Sequence, residues 1–431
     1  MSVDAIFSKR IFDVLSRFLK TDIRYLAKGS FWLTIGRVVS AVVAFVLSVL
    51  YARYLPKELY GEYRYVLSVL GMLGIFALPG MATAIVRSVA RGFDGSYRKG
   101  ALYIFFASFG ITLASLVTAF WFFYQGNDRF GWAFVTAGLV VPFAEGLGNW
   151  RAFFEGKGQF REKTFYNIFA TIFYGAVMAG TVALLIIANI PFVFALAFLV
   201  SMYYIGNAIP NIIFFLKTLR SVSRGSAIES GSVRYGLHLS LVKAPATLAN
   251  YIDAVLLHVF LGPAALAVYS FAIALPEQMK SFLGVTATVA LPKLSSKTEA
   301  EAERALLRVT LPSKIMRSVA ITTVLVVVYI VAAPYVYEIF FPAYTESIRF
   351  SQVFALSLVT FPVGIFGTAI QAEGRLRSVY IHQLGAPIIQ IVLLIVLISG
   401  FGIWGAIAGR VAARFFGHLL AFVLFRAERV E

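Results

Sequence analysis

Two basic side chains inside long apolar stretches are the residues best placed to do chemistry. Arg37 shares one helical stripe with the small or hydroxylated residues Thr34, Ser40, Ala41, Ala44 and Ser48. Lys243 shares a similar stripe with Ser240, Ala246, Thr247 and Asn250. Because an intramembrane charge is costly, such a cation is expected to face a cavity. Two uncompensated cations favour an anionic ligand or a wide, water-filled space.

A structural ion pair between Lys243 and Asp253 is the alternative to this cavity. The two residues are ten positions apart, which is about 15 Å along one helix. That separation is too long for direct contact.

Basic residues also follow a helical stripe near the carboxyl end, at Arg410, Arg414 and His418. For Arg410 the sequence favours a lipid phosphate or a partner on another helix, whereas Arg414 could extend to the surface. Glu277 and Lys280 are three positions apart and are expected to neutralise each other.

Two acidic residues are candidates for ion coupling, Glu145 and Asp253. An acid inside a membrane can be neutralised by a proton. Glu145 lies three residues after Pro142, and an interhelical hydrogen bond is an equally good role for it.

Composition excludes most other function classes. The 431 residues are 60% hydrophobic and only 14% charged, with a mean hydropathy of +0.82, which is typical of a polytopic membrane protein. Cysteine is absent, so disulfides, thiolate metal sites and thiol catalysis are excluded. The four histidines have no ligand spacing and no P-loop motif occurs, so we expect no metal, cofactor or ATP hydrolysis.

Runs of about 20 apolar residues predict an all-α protein with twelve transmembrane spans. The predicted spans are 29–52, 62–86, 100–124, 130–152, 164–188, 191–216, 236–261, 264–290, 314–336, 349–371, 377–399 and 402–425. The connection at 291–313 is predicted to be an amphipathic turn of chain. The predicted domains are an amphipathic cytoplasmic leader (1–28), an N-lobe (29–217), a cytoplasmic linker (218–235), a C-lobe (236–426) and a cytoplasmic tail (427–431).

The distribution of basic residues predicts the orientation. Of the 38 Lys and Arg residues, 28 fall in the two termini and the alternate loops that share their side, whereas Arg53, Lys57, Arg64, Arg129 and Arg349 fall on the opposite side. Basic residues of short loops are retained in the cytoplasm, so both termini are expected there. The net charge of +17 therefore indicates membrane topology rather than nucleic-acid binding.

An internal repeat joins the two halves of the sequence. Leu55 precedes Gly61-Glu62-Tyr63 as Leu261 precedes Ala267-Val268-Tyr269, and the same offset relates Arg37 to Lys243. Glu155-Gly156-Lys157 recurs as Glu373-Gly374-Arg375. Six spans repeated as six spans predict two lobes related by an axis along the membrane normal, with a cleft between them.

Several motifs resemble those of the polysaccharide transporter family, which comprises the O-antigen and lipid-linked oligosaccharide flippases of the multidrug, oligosaccharidyl-lipid and polysaccharide exporter (MOP) superfamily. They are Lys28-Gly29-Ser30, the segment from Tyr54 to Tyr63, and the two Glu-Gly-basic turns. The resemblance implies a flippase for polyprenyl-pyrophosphate-linked glycans that works by alternating access. It also implies membrane lipids, a polysaccharide polymerase and glycosyltransferases as partners. Related lipid II flippases add two spans and carry a Ser-Arg-type motif in span 1 that is not intact here.

Two other functions remain open at this stage. An ion-coupled multidrug exporter of the same superfamily would require acidic residues facing the cavity. A polytopic lipid-modifying enzyme is disfavoured because the outward connections are short.

Overall fold

The computed structural model describes residues 23–188, 190–223, 225–295, 301–372 and 376–427. Within these ranges the chain is almost entirely helical and contains no strand. The helices, in chain order, are Ile23–Tyr54, Lys57–Leu73, Pro79–Ala90, Gly95–Tyr124, Asp128–Glu145, Trp150–Gly156, Phe160–Ile187, Phe192–Ser221, Ser232–Ala249, Ile252–Ser295, Glu301–Phe340, Ser347–Ala355, Ile365–Ala372 and Leu376–Ala427, with short 3-10 turns at Gly74–Ala77, Pro342–Tyr344, Leu356–Leu358 and Phe361–Gly364.

The helices of the described chain confirm a polytopic membrane fold with twelve segments. Eight helices are long and apolar enough to cross a membrane, and two bent pairs raise the number to 10. Two of these long helices are each interrupted by a glycine in a non-helical conformation, Gly262 (φ 83°) and Gly402 (φ 57°). A Cβ on Gly405 would lie 1.9 Å from the carbonyl oxygen of Leu397. Residues eight positions apart come this close only if the chain reverses between them, which it does at Gly402. Counting each as two segments gives the spans numbered 1 to 12 below.

Four spans predicted as continuous helices are broken instead. Span 2 bends by 47° before Pro79, and span 10 bends by 42° before Phe361 and Pro362. Span 4 stops at Glu145 and resumes at Trp150, and span 7 stops at Ala249 and resumes at Ile252. Proline lacks the amide hydrogen that a helix interior requires, and this accounts for the breaks in spans 2 and 10. At the break in span 2, Leu78 takes a left-handed backbone conformation (φ 52°).

Some predicted segments lie partly outside the described residues, among them most of the leader, the tail beyond Ala427 and the turn at 373–375. The predicted connection at 291–313 needs correction. Helices extend to Ser295 and resume at Glu301, because a transmembrane helix can continue past the bilayer without a change of backbone geometry. Residues 296–300 are outside the described ranges.

Spans 1–6 (residues 23–221, the amino half) and spans 7–12 (232–427, the carboxy half) meet along span 2. Following the predicted orientation, the end with the turns near 55, 262 and 402 is called outer, and the opposite end inner. A Cβ on Gly61 would lie 1.9 Å from the carbonyl oxygen of Pro263 near the outer end. Near the inner end, a Cβ on Gly80 would lie 2.3 Å from the amide of Ser240. The backbones of the two halves therefore touch at both ends of span 2.

Candidate functional site

Arg37 extends from span 1 to span 8 of the other half. Its guanidinium donates a hydrogen bond to the carbonyl oxygen of Ser281, and no carboxylate among the described residues pairs with it. Thr34, one turn away on the same helix, is exposed. The predicted stripe thus faces the seam between the halves.

Lys243 makes the reciprocal contact, from span 7 to span 2. Its ammonium donates to the hydroxyl of Thr83 at 2.8 Å, and within the described chain it has no acidic partner. Thr247, half-buried one turn further, donates to the carbonyl oxygen of Lys243 at 3.3 Å. The first span of each half therefore carries a cation that reaches the second span of the other half.

Arg64 is a third cation at this seam. It was not predicted as a site residue, because it was counted with the outer loops. It lies within the helix Lys57–Leu73, and its buried Nε has no hydrogen-bond partner among the described residues. Tyr60, Tyr63, Tyr203 and Asp253 are within electrostatic range. Its position inside predicted span 2 was the signal that could have identified it.

A cavity of about 170 Å³ lies in the seam between spans 1 and 8. Its span 1 wall is Ala41, Ala44, Phe45 and Ser48, which includes three members of the predicted stripe. The opposite wall is Phe271, Ala274, Leu275 and Gln278 of span 8, with Phe341 from the end of span 9. The residues that line these walls are mostly apolar, and none of them is charged.

A compact ionic cluster occupies the carboxy half, formed by Asp253, Glu277, Lys280, Arg410 and Arg414. Arg410 Nε forms an ion pair with Asp253 Oδ2 at 2.8 Å, and Arg410 Nη1 lies 3.4 Å from Glu277 Oε1. Glu277 also accepts from Arg414 and, at 3.1 Å, from Lys280. Glu277 and Lys280 do contact each other, as the sequence predicted, but two arginines of span 12 share the carboxylate.

Neutral groups complete the cluster. Asp253, only 2% exposed, also accepts from its neighbour's amide, Ala254 N, and from the hydroxyl of Tyr269. The carbonyl oxygen of Asn250 accepts from Arg410 at 3.0 Å, while the Asn250 side chain stays exposed. Arg414 donates to Ser357 at 2.7 Å. A lipid-phosphate role for Arg410 and Arg414 would require both to exchange these protein acceptors.

Glu145 differs from Asp253, although both were candidates for ion coupling. It is exposed at the break in span 4, and it has no hydrogen-bond or ion-pair partner in the part of the chain that the structure describes. Arg151 is within electrostatic range of the carboxylate, but it donates its hydrogen bonds to Asn167 at 2.7 Å and to Asn211 at 3.2 Å. Tyr203 and Tyr251 are within electrostatic range of the carboxylate, which places it towards the seam.

Contacts at the two ends join the halves. At the outer end Lys57 pairs with Glu346 at 2.6 Å, and the ring of Phe271 packs on Tyr60 and Tyr344. At the inner end the amide of Gly80 donates to the hydroxyl of Ser240 at 3.0 Å, and Glu229 in the connection after span 6 accepts from Arg91 and from Ser88 of the amino half. A compound held in the seam would thus be enclosed from both sides. No group of three or more His, Cys, Asp or Glu residues in the described ranges is arranged to hold a metal ion.

Solved structures with the same fold are membrane transporters and a flippase. The chain matches a lipid II flippase, MurJ, in an inward closed conformation with a TM-score of 0.66 and 14% identity, covering 90% of this chain and 86% of that chain. An inward-facing MATE multidrug resistance transporter of the MOP superfamily gives 0.64 and 14%, covering 91% and 97%. A MOP superfamily transporter from Pyrococcus furiosus, described as having a binding pocket of reverse polarity, gives 0.63 and 14%, covering 94% and 96%. At such identities the likeness shows the fold.

The sequence itself identifies the family. No curated protein matches the chain significantly. The sequence model of the family described as polysaccharide biosynthesis protein matches residues 26–299, which is more than half of the chain. The family resemblance inferred from the turn motifs is confirmed, and the expectation that the protein is not an enzyme agrees with a fold shared by transporters and flippases. The chain belongs to the polysaccharide biosynthesis protein family and has the fold of the MOP-superfamily transporters.

Proposed function

We propose that the protein is a flippase that moves a polyprenyl-pyrophosphate-linked oligosaccharide from the inner to the outer leaflet by alternating access, for surface polysaccharide biosynthesis. The observation that carries this proposal is the set of three seam cations, Arg37, Arg64 and Lys243, none of which pairs with a carboxylate among the described residues. A pyrophosphate that leaves the headgroup region needs such donors. The exposed Thr34 and Asn250 side chains and Thr247 supply polar neighbours.

Alternating access requires the two ends of the seam to open in turn. The outer contacts are one ion pair between exposed groups and a few aromatic rings, and an exposed ion pair contributes little stability. The inner contacts are hydrogen bonds between spans 2 and 7. Breaking either set while keeping the other gives the two access states.

A multidrug exporter is the second candidate function, and Glu145 is the observation that favours it. An exposed, unpaired acid facing the seam could hold a cationic drug or a coupling ion. Three seam cations against one such acid favour an anionic cargo. If Glu145 has a part in the proposed flippase, that part is ion coupling.

The cytoplasmic membrane is the proposed location, with both termini in the cytoplasm and with polymerase and glycosyltransferases as partners. The chain has no cysteine, so single cysteines can report orientation. A cysteine at Ser221 should resist an impermeant thiol reagent in intact cells, and one at Asn127 should react. The reverse pattern would invert the topology.

Complementation of a flippase-deficient strain tests the cationic site. Arg37→Ala and Lys243→Ala should each abolish export while the protein remains folded and inserted, because these cations make few contacts. Arg37→Lys should be partly tolerated, since it keeps the charge and loses the bidentate fork, and Arg37→Glu should be inactive. Lys99→Ala, an exposed inner-end cation, is the matched control. Full complementation by the Arg37→Ala, Lys243→Ala double variant at normal expression would refute the proposal.

A further inference from the structure

The cavity between spans 1 and 8 starts one helical turn outward from Arg37. Ala41 follows Arg37 by four positions, and Gln278 precedes Ser281 by three. One turn is about 5.4 Å along the helix axis. A ligand bound to Arg37 through a phosphate therefore needs an apolar group beginning within roughly that distance to fill the cavity.

The walls of the cavity are suited to hydrocarbon. Ala44 and Ala274 line the span 1 and span 8 walls, and the rings of Phe271 and Phe341, which contact each other, also line the cavity. The hydroxyl of Ser48 is already bonded to the carbonyl oxygen of Ala44 at 2.8 Å. A hydroxyl with a partner leaves little demand for a polar ligand group. The other polar lining residue, Gln278, lies at the inner end of the cavity, one turn from the Ser281 carbonyl that Arg37 contacts, where the polar end of the ligand would be.

The volume decides how much hydrocarbon fits. The cavity measures about 170 Å³, and an apolar protein cavity of about 150 Å³ holds one benzene molecule. Benzene has six carbons and an isoprene unit has five. The space thus matches one isoprene unit of a longer chain.

We propose that this cavity binds the isoprene unit adjacent to the pyrophosphate of a polyprenyl-linked substrate, while Arg37 holds the pyrophosphate. The inference rests on the proposed function and assigns the lipid part of the substrate to the seam between spans 1 and 8. With the amino terminus in the cytoplasm, the phosphate lies nearer the inner surface and the hydrocarbon nearer the membrane centre. That is the orientation of a lipid in the inner leaflet before it is moved.

The bonding next to the phosphate distinguishes this ligand from a phospholipid. In a prenyl pyrophosphate the first isoprene carbon is joined directly to a phosphate oxygen, so apolar carbon begins within one helical turn of Arg37. In a phospholipid a glycerol and an ester separate the phosphate from the acyl chain. Those polar groups would lie against Ala41 and Ala44, where burial without partners is unfavourable.

Binding to purified protein with three probes tests the proposal: inorganic pyrophosphate, geranyl pyrophosphate and phosphatidic acid. Wild-type protein should bind geranyl pyrophosphate on the order of tenfold more tightly than inorganic pyrophosphate, because hydrocarbon is buried. Ala44→Leu and Ala274→Leu fill the cavity from opposite walls and should remove this preference, leaving inorganic pyrophosphate binding unchanged. Val42→Leu, at a position 56% exposed on the same helix, should keep it. Thermal unfolding of each variant verifies that it is folded.

Three results would overturn the assignment. The preference for geranyl pyrophosphate could survive in both filled variants. Binding of inorganic pyrophosphate could weaken in these variants in parallel with binding of geranyl pyrophosphate. Phosphatidic acid could bind as tightly as geranyl pyrophosphate and lose affinity in the same variants. The third result would identify an acyl-chain site. Failure of the proposed function has a separate signature, since Arg37→Ala and Lys243→Ala would then leave inorganic pyrophosphate binding intact.

Discussion

The seam between the halves and the ionic cluster of the carboxy half each contain three cations. Those of the cluster form ion pairs with carboxylates, and those of the seam do not, as far as the described residues extend. In the cluster, Lys280, Arg410 and Arg414 share the carboxylates of Asp253 and Glu277. At the seam, the partners of Arg37 and Lys243 among the described residues are a carbonyl oxygen and a hydroxyl. A compensated charge holds helices together, whereas an uncompensated one is available to a ligand.

The presence of a charge inside a span therefore does not by itself reveal the role of that charge. Both groups lie in helices of similar apolar character, and both have small residues nearby. What separates them is whether another span supplies a carboxylate within about 4 Å. Replacing charges in the two regions should therefore give effects of opposite sign on stability.

The largest expected effect is at Glu277, the acid shared by three cations. Glu277→Gln should lower the free energy of unfolding by about 3–5 kcal/mol, because buried cations lose their counter-charge. Glu346→Gln is the matched control. It removes an acid from the exposed outer pair with Lys57, where the side chain of Glu346 is 54% exposed, and should cost no more than about 1 kcal/mol. Chemical unfolding in detergent measures both, and equal losses would contradict a special role for the cluster.

Exchanging the charges of two residues should distinguish the ionic cluster from the seam. Asp253→Arg and Arg410→Asp should each be destabilising, and the double variant should recover at least about 1 kcal/mol relative to their sum, because the pair is in direct contact. The same exchange between Lys243 and Asp253 should recover nothing. Recovery of transport by Lys243→Asp with Asp253→Lys would assign Lys243 to the cluster instead of the seam.

Replacing Arg64 should change the stability in the opposite direction to replacing Glu277. Arg64→Leu should raise the free energy of unfolding by about 1–2 kcal/mol, since an unpaired charge is replaced by hydrocarbon, and it should abolish transport. Arg64→Lys retains the charge and should keep part of the transport at wild-type stability. A large loss of stability in Arg64→Leu would show that Arg64 has a structural partner.

The smallest effect on stability is expected at Glu145. Glu145→Gln should change the free energy of unfolding by less than about 0.5 kcal/mol, as is usual for an exposed side chain without partners. Transport into proteoliposomes should nevertheless lose its dependence on a proton or sodium gradient. Unchanged gradient dependence in both Glu145→Gln and Asp253→Asn would remove both acids from the coupling role.

The class of the protein and the faces of individual helices follow from the amino-acid sequence alone. Apolar runs of sufficient length must be membrane spans whatever their packing, and helical periodicity placed Ala41, Ala44 and Ser48 on one side of span 1, where the structure has a cavity wall. Breaks at Pro79 and Pro362 were visible as residues, although their angles were not.

The pairing of the charges, in contrast, is visible only once the helices are packed together. Arg410 meets Asp253 and Glu277 across sequence separations of more than 130 residues, and nothing in the local pattern of either segment specifies that contact. Arg64 was counted with the outer loops although it lies within predicted span 2, and in the structure its Nε is buried. Periodicity fixes the direction of a side chain on its own helix, but the partner that it finds depends on how the helices pack together.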